Sequence, residues 1–227
     1  MFFLNIDTGN LVVITIDGPS GAGKGTLSQL VARHLKYHLL DSGALYRLVA
    51  LSAHKLNINF KDEDAIAEVA SNLQVRFDID GDSTRVILAN EDVTHAIRDE
   101  SVSMNASVVA AYPKVRVALL QRQRDFAQAP GLVADGRDMG TTVFPNARVK
   151  IFLTASAEAR AERRYKQIVQ KGGNVDMAEL IRDIKARDER DTQREASPLK
   201  PADDALVLDS TLMTIDQVLN VILKAVR

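Results

Sequence analysis

The feature that most constrains this chain is an apolar run that leads directly into a glycine-rich loop, Ile14-Thr15-Ile16-Asp17-Gly18-Pro19-Ser20-Gly21-Ala22-Gly23-Lys24-Gly25-Thr26. Leu11–Asp17 reads as a buried strand. Lys24–Lys36 reads as an amphipathic helix, with Leu27, Leu30, Val31 and Leu35 on one face. Glycines let the connecting backbone curl so that successive N–H groups converge without side-chain clash, and the helix start adds free N–H groups and a positive dipole end. Lys24 supplies a mobile charge for terminal phosphates, so Gly18, Pro19, Ser20, Gly21, Ala22, Gly23, Lys24, Gly25 and Thr26 together make a cradle for a nucleoside triphosphate. The pattern G-x-x-x-x-G-K-S/T is nearly met. Gly25 stands where the hydroxyl is expected, and Thr26 comes one position later, so Mg²⁺ is not expected on a hydroxyl right after the lysine. The plainer alternative, a glycine-rich turn packing a helix onto a strand, leaves Lys24 without a role.

Strand and helix patterns alternate along the rest of the chain, which predicts a parallel sheet covered on both faces. Further strands are expected at Tyr37–Asp41, Gly131–Asp135, Val149–Thr154 and Ala205–Asp209. Helices are expected at Gly43–Lys55, Asp62–Leu73, from Pro113 (carrying Val115, Leu119, Leu120 and Phe126), Ser156 to about Gln170, Asp176 to about Arg194, and after Thr214. Leu73–Ile79 and Thr84–Leu88 alternate around the polar turn Asp80-Gly81-Asp82-Ser83, which reads as an antiparallel hairpin inserted at about 69–108 and ending in a polar helix from about Asp99. The 227 residues, 46% of them hydrophobic, suffice for one substantial core with a small appended subdomain.

Bulk charge excludes several function classes. With 29 basic and 30 acidic residues the net charge is −1, which does not suit a general nucleic-acid binder or a binder of anionic membranes. Cysteine is absent, so there is neither a disulfide nor a thiolate site, in keeping with a reducing, cytoplasmic setting. The apolar start Met1-Phe2-Phe3-Leu4 is too short for a signal segment, and no run approaches a membrane span. His34, His38, His54 and His95 are scattered and read as surface or packing residues. Asp78-Ile79-Asp80-Gly81 matches D-x-x-G only by accident, and no N-K-x-D motif is present.

Three polar clusters carry the remaining chemistry. Asp41-Ser42-Gly43-Ala44-Leu45-Tyr46-Arg47 follows the second strand, where open α/β sheets bind ligands. There Ser42 offers a cap hydroxyl and Arg47 a fork for phosphate. In Ala134-Asp135-Gly136-Arg137-Asp138-Met139-Gly140, Asp135 ends a buried strand and is the candidate for Mg²⁺ or its waters, while Arg137 and Asp138 follow into the same mouth. Arg160, Arg163 and Arg164 share one helix face, as do Arg187, Asp191 and Arg194 on the next helix. The break Lys171-Gly172-Gly173-Asn174 between them reads as the hinge of a closing lid that supplies charge to a moving phosphoryl group and keeps water out.

In motif order and spacing, from about Val12 onward, the chain resembles the bacterial-type cytidylate kinases, nucleoside monophosphate kinases that carry the segments Gly18–Thr26, Asp41–Arg47, Ala134–Thr141 and Lys185–Asp191. The phosphate loop is shared by many kinases; the second and third segments are far more specific. The resemblance implies an α/β P-loop kinase fold: a five-stranded parallel sheet flanked by helices, an inserted antiparallel hairpin in a monophosphate-binding domain, and a short helical lid. The core would be residues 1–41 and 110–227, with the lid at about 158–175, and the monophosphate-binding domain residues 42–109. It further implies transfer of the γ-phosphoryl group of ATP to CMP or dCMP with Mg²⁺, by a monomer. Residue by residue, Arg47 and Arg137 would bind the acceptor phosphate. Ser42, Arg116, Asp138 and Arg194 would meet the cytosine, with Tyr46 in the same substrate site. Ser107, Arg187 and Asp191 would meet the pentose, and Arg187 would also serve transfer beside Lys24. Arg160, Arg163 and Arg164 match the lid's basic face, and which of them reaches the phosphates stays open. Kinases for adenylate, uridylate or dephospho-coenzyme A share the scaffold, and a P-loop switch is a further alternative that the acceptor-side arginines disfavour.

Overall fold

A computed structural model of the chain describes residues 11–80, 83–170 and 172–226. In chain order the first elements are β1 (Val12–Asp17), α1 (Lys24–Leu35), β2 (His38–Asp41), α2 (Ser42–Lys55), α3 (Glu63–Ser71), β3 (Val75–Asp80), β4 (Ser83–Leu88) and β5 (Glu91–Asp92). Then follow α4 (Glu100–Val109), α5 (Pro113–Arg124), β6 (Gly131–Gly136), β7 (Val149–Thr154), α6 (Ala157–Gln170), α7 (Met177–Gln193), β8 (Leu206–Asp209) and α8 (Ile215–Val226).

Five strands form one parallel sheet in the order β2-β6-β1-β7-β8. β6 is buried along its whole length, as expected of a strand covered on both faces. On one face, Leu27 and Val31 of α1 and Val218 and Ile222 of α8 pack on Ile14, Ile16, Ile151 and Leu153. On the other, Leu45, Leu48 and Val49 of α2, Ile66 of α3 and Leu119 of α5 pack with Leu40 and Leu132. Chain order reverses around β1, so the crevice opens at the carboxyl ends of β1, β2 and β6. Register aligns Asp41 with Asp135 and Asp17 with Gly136 along that edge.

The inserted hairpin is present as β3 paired with β4, from Val75–Leu88 to Asp80–Ser83. A third strand, β5, extends it through a turn at Ala89-Asn90 with φ of 47° and 70°. Two residues of strand and an alanine in a left-handed turn left no pattern to read. Gly81 and Asp82 of the expected polar turn lie outside the described residues, as do residues 1–10 and Lys171 of the expected break.

Local chemistry sets most boundaries. Thr214 N–H donates to Gln217 Oε1 at 2.9 Å and Gln217 N–H to Thr214 Oγ1 at 3.2 Å, a reciprocal capping box before α8. The Asp176 and Ser156 side chains accept from the N–H groups of Glu179 and Ala159, at 2.7 and 3.1 Å. Three expectations change. Asp41, not Ser42, caps α2, accepting from Ala44 N–H at 2.9 Å, because a carboxylate one residue earlier already reaches the first turn. Phe126 lies beyond the end of α5, and Arg194 is the residue that ends α7, its backbone extended at φ −62° and ψ 141°. A π-helical turn at Met139–Val143 was not foreseen; Val143 and Phe144 N–H bond to the carbonyls of Asp138 and Met139 at 3.2 and 2.7 Å.

Candidate active site

The glycine loop between β1 and α1 is built by close approach and by cations. A Cβ on Gly18 would stand 1.9 Å from the Leu153 carbonyl oxygen of β7, so only glycine lets the loop leave the sheet there. Gly21 and Gly23 then take left-handed φ of 78° and 98°. Three basic side chains hold the loop's carbonyls. Lys24 Nζ donates to Pro19 at 3.0 Å, Arg160 Nη1 to Ser20 at 3.1 Å and Arg163 Nη1 to Ala22 at 3.3 Å. Lys24 Nζ also lies 4.0 Å from Asp135 Oδ1. Burial pushes the Lys24 ammonium below the ordinary lysine value while Asp135 works against that. Burial likewise lifts the Asp135 carboxyl to about 6, with Lys24 opposing.

Opposite the loop lies a cationic wall. Arg47 Nη2 donates to Asp41 Oδ2 at 2.9 Å. Arg116 donates to the Asp138 carboxylate and, through Nη1, to the Ala110 carbonyl at 2.9 Å, and its guanidinium lies 5.5 Å from the Tyr46 ring centre. Burial works against the Asp191 charge, but Arg137, whose Nε donates to it, and then Arg194 and Arg187 hold it below the usual range. Arg187 Nη1 donates to Ser103 Oγ at 3.2 Å, and burial with the nearby Arg137 lowers its pKa to about 10. Arg194 Nε donates to the Ser197 carbonyl at 2.7 Å. Among the described residues several buried side-chain polar atoms have no hydrogen-bond partner, among them atoms of Arg47, Ser107, Arg116, Arg187 and Arg194. Buried polar atoms are normally paired, so their concentration in one cleft points to a polar ligand there.

The cleft, about 640 Å³, is lined by residues of both walls. From the loop it takes Ser20, Gly21, Ala22, Gly23, Lys24, Gly25 and Thr26; from the other side Ser42, Tyr46, Arg47, Ser107, Arg116, Asp135, Arg137 and Asp138; and from α6, α7 and the end of α7 Arg163, Arg187, Asp191 and Arg194. Gly18, Pro19, Arg160 and Arg164 do not line it. Arg160 instead forks onto Asp188 of α7, and Arg164 Nη2 donates to Glu100 Oε2 of α4 at 2.6 Å. Near Gly172, with φ 79°, a Cβ on Gly173 would meet Ile168 at 2.7 Å, so the bend between α6 and α7 needs glycine there. His34, His38, His54 and His95 are exposed.

Sequence reasoning missed Asp17. Its carboxylate accepts from Met139 and Gly140 N–H at 2.8 Å each and so ties the end of β1 to the π-helical turn behind Asp138. Burial lifts its pKa to about 7, the two N–H bonds opposing. A carboxylate ending an otherwise apolar strand was the available signal. Also unforeseen are Met213, Ile215 and Val218, which add an apolar side to the cleft mouth.

A divalent ion finds no carboxylate cage here, although Asp41 and Asp135 stand side by side at the strand ends. Among the described residues no cluster of three or more His, Cys, Asp or Glu could hold a metal. Asp135, 3.5 Å from where a Gly25 Cβ would stand and beside Lys24, suits Mg²⁺, which keeps several waters and takes its other ligands from phosphates.

A family model described as Cytidylate kinase matches residues 14–227. A cytidylate kinase of Aeromonas hydrophila is 58% identical over 211 residues, 93% of this chain and 92% of that protein. Another, of Shewanella denitrificans, is 56% identical over 217 residues, 95% and 96% of the two chains. Among solved structures, TT1252 from Thermus thermophilus aligns over 96% of both chains at 19% identity and TM-score 0.45. A shikimate kinase from Bacteroides thetaiotaomicron aligns over 95% of this chain and 98% of its own at 14% identity and TM-score 0.45.

Proposed function

This chain belongs to the cytidylate kinase family and is an ATP-dependent phosphotransferase that converts CMP or dCMP to the diphosphate; on that premise we propose how its cleft divides the work. The glycine loop, Gly18–Thr26, seats the triphosphate, and Lys24 leaves the Pro19 carbonyl to follow the transferring group. Arg47 and Arg137 fork onto the acceptor phosphate. Ser42, Tyr46, Arg116, Asp138 and Arg194 seat the cytosine, and Ser107, Arg187 and Asp191 seat the pentose. Residues 42–109 form the monophosphate-binding domain, and residues of about 158–175 form the lid. Supporting this division is the pairing of opposed chemistry in one cleft: a glycine loop with a buried lysine on one side, and on the other arginines with unpartnered donors.

The acceptor is already a phosphate oxygen, largely ionised near neutrality, so no general base is required. What the chain supplies is positioning and charge neutralisation. Arg187, whose burial disfavours its charge, would gain from an added anion nearby. Mg²⁺ would be held through water at Asp135 and would supply charge neutralisation on the phosphates. Among the described residues no helix is long and apolar enough to cross a membrane. We take the protein to act as a cytoplasmic monomer on free nucleotides, without nucleic acid.

The test is coupled detection of ADP with CMP, dCMP, UMP, AMP and dephospho-coenzyme A as acceptors at equal concentration. Turnover highest with CMP or dCMP is expected. Preference for UMP, AMP or dephospho-coenzyme A would overturn the base-side assignment.

A further inference from the structure

We propose that Gln123 is a positioning residue that fixes the hydrogen-bond polarity of Ser42, so that the acceptor-base seat selects an exocyclic amine over a carbonyl. The proposal rests on the reading above that Ser42 meets the acceptor base. Ser42 lines the cleft and is almost fully buried; Gln123, on α5, lies behind it at 1% exposure. Two bonds hold the Gln123 amide, which also lies against the Tyr46 hydroxyl. Its Nε2 donates to the Leu119 carbonyl one turn earlier at 3.4 Å, and its Oε1 accepts the Ser42 hydroxyl proton at 2.8 Å. A helix carbonyl only accepts, so turning the amide over would set its oxygen against the Leu119 oxygen and turn the NH₂ toward Ser42 in place of the acceptor. The orientation with Oε1 toward Ser42 is the one that suits the α5 carbonyl.

A serine hydroxyl has one proton and two lone-pair sites. With that proton directed to Gln123, Ser42 has only acceptor capacity left for the cleft. A pyrimidine 4-amino group donates to such an oxygen. A 4-carbonyl meets it lone pair to lone pair and leaves both groups desolvated and unpaired. Asp138 on the same wall adds carboxylate acceptors and is itself held by Arg116. Sites built to bond a polar substrate group discriminate strongly against an analogue that cannot make the bond.

The experiment measures kcat/KM for CMP and UMP, KM for ATP, and the melting temperature of the full chain and its variants. Gln123→Met keeps the side-chain length and removes the acceptor. The CMP-to-UMP ratio should fall about tenfold, the worth of roughly one net hydrogen bond, with KM for ATP unchanged. Gln123→Glu, which keeps an oxygen to accept the hydroxyl proton, should restore most of the ratio. In a Ser42→Ala background, Gln123→Met should change the ratio no further. An unchanged ratio in Gln123→Met, or an equal loss in the Ser42→Ala background, overturns the relay. If Gln123→Met does not fold, Gln123→Asn withdraws the same oxygen by one methylene and is judged by the same criteria. Ser42→Ala alone separates the two readings: no change in KM for CMP refutes the base-seat assignment, whereas a raised KM with a silent Gln123→Met refutes only the relay.

Discussion

Replacing Asp17 by asparagine should change how stability depends on pH, in a direction that the buried carboxyl dictates. In the folded chain burial lifts this group from 3.8 to about 7. At about 1.36 kcal/mol per pKa unit, that gap of roughly three units is worth about 4 kcal/mol of pH-dependent stability. Because the folded pKa is raised, the contribution is whole below about pH 4, where folded and unfolded chains are both protonated. It is lost as pH rises through the window to about 7, because the unfolded chain ionises first, and it is constant above that. The asparagine variant has no such titration. It does carry a fixed penalty, since its amide NH₂ must face one of the two N–H donors of Met139 and Gly140, which costs about 1–3 kcal/mol. In urea unfolding followed by circular dichroism, Asp17→Asn should therefore be the weaker protein at pH 4.5. It should gain about 3 kcal/mol relative to the parent by pH 8, since most of the titration window lies between those values. A gap constant across that range, or one that widens as pH rises, would show that the carboxylate is ionised throughout, and the reasoning would fail.

Lys24→Ala should lower kcat by orders of magnitude with the fold retained by circular dichroism; normal turnover would remove Lys24 from the transfer. Arg194→Ala should raise KM for CMP more than KM for ATP in steady-state kinetics, and equal effects on both would count against base contact. Gly18→Ala should cost several kcal/mol in denaturant unfolding, beyond the ~1–3 of ordinary overpacking, because the new Cβ would meet a backbone oxygen at 1.9 Å; near-parental stability would mean that the loop detaches freely from β7.

Much of the sheet was readable because buried strands and helix faces leave local periodicity. β6 with Leu132 and Val133, α1 with Leu27 and Val31, and the β3–β4 alternation all declare themselves within ten residues. The glycine-flanked charge motifs are equally local, and the structure brings Arg47, Arg137 and Asp138, which they carry, to one cleft. What escaped depends on partners distant in sequence. Nothing near Arg160 announces that its guanidinium will hold Ser20, 140 positions away, rather than point into the cleft. Asp17 and Met139 are 122 positions apart, and only the β1–β6 register brings them together. Gln123 sits in a polar stretch of α5, and its burial against Ser42 follows from helix packing rather than from any local signal.

The carbonyls of Pro19, Ser20 and Ala22 are each anchored by a positive side chain, and two of those chains come from α6. The two from α6 hold Ser20 and Ala22 even when Lys24 lets Pro19 go, so under the proposed function an incoming polyanion would meet a loop already largely set. The same anchors make α6 a mechanical neighbour of the loop: a swing of that helix would tug on Ser20 and Ala22, so under the proposed division of the cleft, departure of the spent diphosphate and opening of the lid would be coupled.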